Sequence, residues 1–151
     1  MSDLSKSEIN KTTYVNDEHR LRVNLLLTSG WLKNKTKEFL DQFEVTQQQF
    51  NILKILNEVD GDPLSTNEIC DEMIDKSSDT SRIVDRLVVK GLVTKKPSPI
   101  DRRKVQVFIS SEGKYLLSTI DTKLKNLDAI FENLSEKEII ELNDLLEKVI
   151  Q

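Results

Sequence analysis

The chain has 151 residues, 22 Lys and Arg against 26 Asp and Glu, and a formal net charge of −4. At 37% hydrophobic and 32% charged it is too apolar for a disordered chain and too charged for a membrane protein, and its length suits one domain, residues 1–151, with a core of its own. One Cys and one His exclude an internal disulfide and leave almost no material for zinc or histidine-dependent acid–base chemistry, so no metal, cofactor or enzyme activity is expected.

No run of about 18 apolar residues exists to span a bilayer. Residues 1–16 have no apolar stretch or small-residue cleavage site of a secretory signal, and a single thiol fits a reducing compartment, so the expected location is the cytoplasm. Four Gly and three Pro leave few breaks, and most of these fall in the middle third. Long helices at both ends around a more irregular centre are expected; a βαβ alternation, a β-sandwich and a Gly-rich phosphate loop are excluded.

The first periodic stretch, Asp17 to Phe43, carries Leu21, Leu25, Trp31, Leu32, Phe39, Leu40 and Phe43 near helical spacing. Leu25-Leu26-Leu27 covers more than one face, which predicts packing both on its own domain and on another subunit. Thr46 with Gln49 forms a capping box for a second helix whose apolar residues run from Phe50 to Val59, stopped by Asp60-Gly61-Asp62-Pro63. Leu64 adds a short extended pair. Ser65 and Glu68 then cap a helix over about Thr66–Ile74, predicted to bury Ile69, Cys70, Met73 and Ile74.

Asp75-Lys76-Ser77-Ser78 reads as a turn with two candidate N-caps, Ser77 and Ser78, before a helix through Lys90 that ends at Gly91. At 100° per residue, Thr80, Ile83, Val84 and Leu87 share one side. Ser78, Ser81, Arg82, Asp85 and Val89 lie opposite, with Asp79 and Arg86 on the flanks. A short helix, a turn and an amphipathic helix with hydroxyls and Arg outward make a helix-turn-helix, whose second helix starts where base edges are met in a major groove.

Two strands follow, Leu92–Lys96 and Lys104–Ile109, joined by Pro97-Ser98-Pro99-Ile100-Asp101-Arg102-Arg103. This connection is too long for a tight turn and is expected to leave the ladder at its prolines. A hairpin with a projecting basic tip directly after a helix-turn-helix is a wing, and guanidinium groups there suit a narrow, negative minor groove. Ser110 or Ser111 caps a helix to about Asn133, with Tyr115, Leu116, Ile120, Leu124, Leu127, Ile130 and Phe131 apolar. Ser135 and Glu138 cap the last helix, striped by Ile139, Leu142, Leu145, Leu146 and Val149.

The predicted fold is therefore mostly α with a small β wing: a winged helix-turn-helix over residues 46–110, flanked by long dimerisation helices at 17–43 and 111–151. Charge follows the same division. Residues 76–104 hold nine Lys and Arg against three Asp, a net of +6, which leaves −10 on the rest. A basic segment on an acidic body is the footprint of an anion binder, although a solvated Lys-rich face carries the same charge.

The stretch Ser81-Arg82-Ile83-Val84-Asp85-Arg86-Leu87-Val88-Val89-Lys90-Gly91-Leu92-Val93 resembles the recognition-helix signature of the MarR (multiple antibiotic resistance regulator) family. Asp101-Arg102-Arg103, followed by Val105, Val107, Ile109, Ser110 and Gly113, resembles that family's wing. The likeness spans about residues 18–150. It implies a homodimeric, ligand- or redox-responsive transcription factor, usually a repressor, on a pseudo-palindromic operator of double-stranded DNA. On the matching positions, Ser78, Ser81 and Arg82 face bases or phosphates, Arg86 the backbone, and Arg103, with Arg102, the minor groove, with Asp101 bracing Arg103; Lys104 is a further DNA-binding candidate.

Asp79 fits that surface poorly, because a carboxylate repels phosphate. It either accepts from helix-start amides or takes a cytosine amino group. His19, Trp31 and Phe39 are candidates for an effector cleft, with core or interface packing as the plainer role. Cys70 reads as a buried thiol. Peroxide-sensing members of the family carry a Cys near the start of the first helix, and none stands there. The reading from a different class is a winged-helix module that binds an acidic protein partner without sequence-specific DNA binding.

Overall fold

The computed structural model describes residues 13–59, 61–76, 79–101 and 104–150. They form two compact units, divided between Leu117 and Ser118.

In the first unit, Asn16 caps α1 (Asp17–Asp41), its side chain accepting the His19 amide at 2.7 Å. Only Phe39 and Leu40 of α1 are buried. The helix stops two residues before the predicted Phe43, because Glu44 takes a left-handed conformation, φ 57°, and the Phe43 and Glu44 amides turn back to the carbonyls of Leu40 and Asp41. Helix α2 (Gln47–Glu58) opens with the predicted Thr46/Gln49 capping box. Strand β1 is Leu64–Ser65, and α3 (Thr66–Glu72) opens with the Ser65/Glu68 box.

Helix α3 is shorter than its periodicity predicts. Met73 is extended (ψ 138°), which keeps its own side chain buried and turns Ile74 outward, 86% exposed. Cys70 is half-buried, its Sγ 3.9 Å from the Lys76 carbonyl. The expectations of a buried Ile74 and a fully buried thiol are thereby corrected. Helix α4 (Thr80–Val89) starts one residue later than a Ser78 cap would set it and two later than a Ser77 cap, since its cap is Asp79. It ends as predicted at Gly91, φ 72°. The Gly91 amide meets the Val88 carbonyl and the Leu92 amide the Leu87 carbonyl, the paired bonds of a Schellman turn that glycine closes without strain.

Strands β2 (Val93–Pro97) and β3 (Val105–Ile109) form the hairpin, and β1 adds to β3, giving an antiparallel sheet of order β1-β3-β2. Pro97 lies inside the ladder, opposite Val105, where the sequence suggested a break. The Ser98 amide donates to the Lys104 carbonyl, which makes the next pair inward a non-hydrogen-bonded one. The missing N–H of Pro97 therefore faces the open side of an edge strand, where proline is tolerated.

The core joins these elements through Ile52, Leu53 and Leu56 of α2, Ile69, Met73, Val84 and Leu87 around the turn, Val93 and Val107 of the hairpin, and Leu117. Each such side chain contributes about 1.5–3 kcal/mol, against about 0–1 kcal/mol for an exposed ion pair. The inner side of α4 thus seats the helix, and its outer side is left for other work.

Helix α5 (Ser111–Asp128) begins in the first unit, and a 3-10 turn at Ala129–Phe131 replaces the helix predicted to run to Asn133. Leu117 is buried and Tyr115 is 77% exposed, the reverse of the emphasis that periodicity placed on Tyr115. In the second unit, Ser135 and Glu138 box the start of α6 (Glu136–Val149), none of whose residues is buried. Its apolar stripe, Ile139, Leu142, Leu145, Leu146 and Val149, is open to solvent within the chain.

The capping boxes give one pH prediction. The hydroxyls and amides of Ser65 and Ser135 hold the Glu68 and Glu138 carboxyls below their ordinary value of 4.5, against a small opposing effect of desolvation. A depressed folded-state value means that the contribution is complete above about pH 4.5 and fades as the pH falls through the lower value. Thermal unfolding followed from about pH 6 to pH 3 will show a shallower fall for Glu68→Gln/Glu138→Gln than for the parent protein.

Candidate nucleic-acid interface

The outward face of α4 carries Ser81, Arg82, Asp85, Arg86 and Val89, all exposed. Asp79 settles one of the open readings: its Oδ1 accepts the Arg82 amide at 3.3 Å, so it satisfies the helix start. Its Oδ2 lies 3.0 Å from Arg82 Nε. Asp85 stands near Arg82 and Arg86 on the same face, yet its ion-pair partner is Lys95, which β2 carries across from the wing. With Arg82 engaged by Asp79 and β2 packed alongside α4, that lysine is the nearer cation. Both carboxylates of the face are therefore matched by cations, and the repulsion they would offer a phosphate is reduced.

Two further lysines fix the surroundings. Lys90 Nζ donates to the Glu44 carbonyl, tying the end of α4 to the segment after α1. Lys96 stands 5.2 Å from the centre of the Phe108 ring, a cation–π contact on the hairpin.

The wing tip is organised by Ser98, a residue the sequence reading passed over. Its Oγ accepts the amides of Ile100 at 3.3 Å and Asp101 at 3.4 Å, and the Lys104 amide donates to the Asp101 carbonyl at 2.9 Å. A serine whose hydroxyl closes a turn two and three residues ahead is a recognisable pattern, and Pro97-Ser98-Pro99 was its signal. Lys104 is exposed at the base of the tip, and its charge adds to what holds the nearby Glu68 carboxyl low. Ser78, Arg102 and Arg103 lie outside the described residues, and with them the partner of the predicted Asp101–Arg103 brace.

The three effector-cleft candidates are strung along α1 rather than gathered. His19 and Phe39 are twenty residues apart, about 30 Å along a helix axis. His19 is half-buried, its Nδ1 accepting the Val15 amide at 3.3 Å. Trp31 is also half-buried, while Phe39 is buried edge-on to Phe43 with ring centres 5.4 Å apart.

The sequence profile of the MarR family matches residues 43–104, which run from the end of α1 to the wing tip. The chain is 32% identical over 109 residues to the uncharacterized HTH-type transcriptional regulator YsmB of Bacillus subtilis, covering 72% of this chain and 73% of that one. It is also 32% identical over 121 residues to the HTH-type transcriptional repressor IacR of Pseudomonas putida, covering 80% of this chain and 71% of the relative.

The chain belongs to the MarR family.

It is thus one of a family of transcriptional regulators, not of enzymes. The MarR fold is visible in the architecture as well: a mutant Escherichia coli MarR, solved in complex with operator DNA, superposes with a TM-score of 0.78 at 24% identity, over 93% of this chain and all of that one. As in that fold, the chain is mostly helical with a three-stranded antiparallel wing. Among the described residues no helix is long and apolar enough to cross a membrane.

Proposed function

We propose that this MarR-family chain acts as a homodimer that binds a pseudo-palindromic operator in double-stranded DNA, placing α4 in the major groove and the wing tip in the flanking minor groove. The observation that carries the reading is the outward side of α4: a helix seated by Thr80, Val84 and Leu87, all buried, presents Ser81, Arg82 and Arg86 to solvent. In the sequence, the connection after β2 adds Arg102, Arg103 and Lys104 to the same basic segment. The operator in the Escherichia coli MarR complex and the name of the IacR repressor support the same reading, and repression follows if the operator overlaps a promoter.

The second copy is assigned to the terminal segments, 17–43 and 111–151. Leu21 and Leu26 of α1 and the α6 stripe are exposed in the single chain, and such surface is ordinarily covered by a partner. A two-fold protein reading a two-fold site fits that partner being another copy. Release by a small ligand is assigned to α1, where His19 and Trp31 retain accessible surface.

Selection from a pool of random duplexes tests the proposal. The expected product is an inverted repeat with half-site centres about 10–10.5 bp apart. Enrichment of no sequence contradicts it and favours a module for an acidic protein partner.

A further inference from the structure

We infer that Arg82 reads a guanine end-on in each half-site, and that Asp79 is the positioning residue that aims it. The inference rests on the DNA-binding reading above and goes further, to a base and a brace.

The two oxygens of Asp79 have separate tasks. Oδ1 accepts the Arg82 amide at 3.3 Å, and Oδ2 makes an ion-pair contact with Arg82 Nε at 3.0 Å. Both contacts are to one residue, so carboxylate, backbone and side chain close a ring over the first turn of α4. A flexible side chain is thereby held against its own helix before any ligand arrives. The Arg82 side chain is nonetheless 81% exposed.

With Oδ2 set against the Nε edge of the guanidinium, the edge left open is that of the two terminal amino groups. They form a fork of two donors, which matches the N7 and O6 acceptors on the major-groove edge of guanine. Adenine sets a donor, its N6 amino group, where guanine has O6, so the same fork meets like against like. An exposed pair of this kind adds little to folding. Its value is that the guanidinium is ordered in advance, which lowers the cost of binding.

Asparagine caps a helix about as well as aspartate, but has no second oxygen to hold Nε. Asp79→Asn therefore cuts the brace and keeps the helix start. The duplex selection is run on the parent protein, Asp79→Asn, Arg82→Ala and Arg82→Lys, with affinities and thermal midpoints measured for each. The parent is expected to select one fixed guanine per half-site, whose change to adenine weakens binding about tenfold or more. That preference disappears in Arg82→Ala and weakens in Arg82→Lys, whose ammonium can still donate to N7 and O6 but lacks the planar fork and the Nε that Asp79 contacts. In Asp79→Asn it falls several-fold at that position alone, with an unchanged midpoint.

A guanine preference that survives Arg82→Ala overturns the base assignment and leaves the operator reading standing. An Asp79→Asn profile identical to the parent's overturns the brace. If the parent itself selects no sequence, the operator reading fails and the inference with it.

Discussion

Gly113→Ala will lower the thermal stability of the protein, although alanine is the better helix former. A Cβ at position 113 falls 2.2 Å from the Leu92 carbonyl oxygen and 2.9 Å from Ile109 Cγ1. The first obstacle is backbone and cannot rotate away. It is also held in place: the Ser110 amide donates to that same Leu92 carbonyl at 3.0 Å, and the Ser110 hydroxyl donates to the Gly91 carbonyl at 2.7 Å. The Ser110 Oγ in turn accepts the Gly113 amide at 3.0 Å.

Serine and glycine thus clamp the start of α5 onto the turn between α4 and β2. Overpacking of this kind costs about 1–3 kcal/mol, and a fixed carbonyl places it toward the upper end. For a chain of this size the midpoint should fall by roughly 5–10 °C. Gly30→Ala is the matched control. Nothing lies within 4 Å of its added Cβ, it sits inside α1, and the helix preference alone should raise stability by about 0.4–1 kcal/mol. Equal effects at the two positions would remove the clamp from the account.

The largest expected functional effect is that of Arg82→Ala combined with Arg103→Ala. Each arginine is assigned about 1–3 kcal/mol of specific binding, one to the major groove and one to the minor. Because the two act on different grooves their losses should add, to about 2–6 kcal/mol, or roughly 30-fold to 10⁴-fold in the dissociation constant. Arg82 is a poor candidate for stabilising the fold, being exposed and outside the core, so the unfolding midpoint of Arg82→Ala should hold steady. Titration of a selected duplex at fixed salt, alongside thermal unfolding, measures both. A double variant that binds like the parent would remove this surface from the binding reaction.

What the sequence disclosed, it disclosed through local chemistry. Thr46 with Gln49, Ser65 with Glu68 and Ser135 with Glu138 each stand three residues apart, and each pair forms both bonds of its box. Gly91 closes α4 because only a left-handed residue completes that turn. The alternation of the hairpin strands survives in Val107, buried, between the half-buried Gln106 and Phe108. Of the candidate interface, Ser81, Arg82 and Arg86 were legible because a single helical periodicity sorts them from Val84 and Leu87.

The rest depended on contacts between distant segments. Asp85 finds Lys95 only once β2 lies against α4, and no spacing within the helix announces that partner. Ile74 is turned out by the extended Met73, a backbone choice that an apolar pattern does not reveal. Pro97 stays in the ladder because of which side of an edge strand it faces, and register decides that side. Gly113 was visible as part of a family resemblance, yet its physical reason is a carbonyl twenty-one positions earlier in the chain. Asp79 was ambiguous for a different cause: a carboxylate at a helix start can serve the helix or a ligand, and only the folded chain shows both of its oxygens turned to Arg82.

The most direct test of the central claim is a hydroxyl-radical footprint on the selected duplex, because the radical attacks sugars lining the minor groove, where the wing is assigned. Two-fold symmetric protection is expected, with minor-groove patches flanking both half-sites that vanish in Arg103→Ala while the inner pattern persists. A single asymmetric patch, or flanks left unprotected by the parent protein, would contradict a dimer that sets paired helices and wings on DNA.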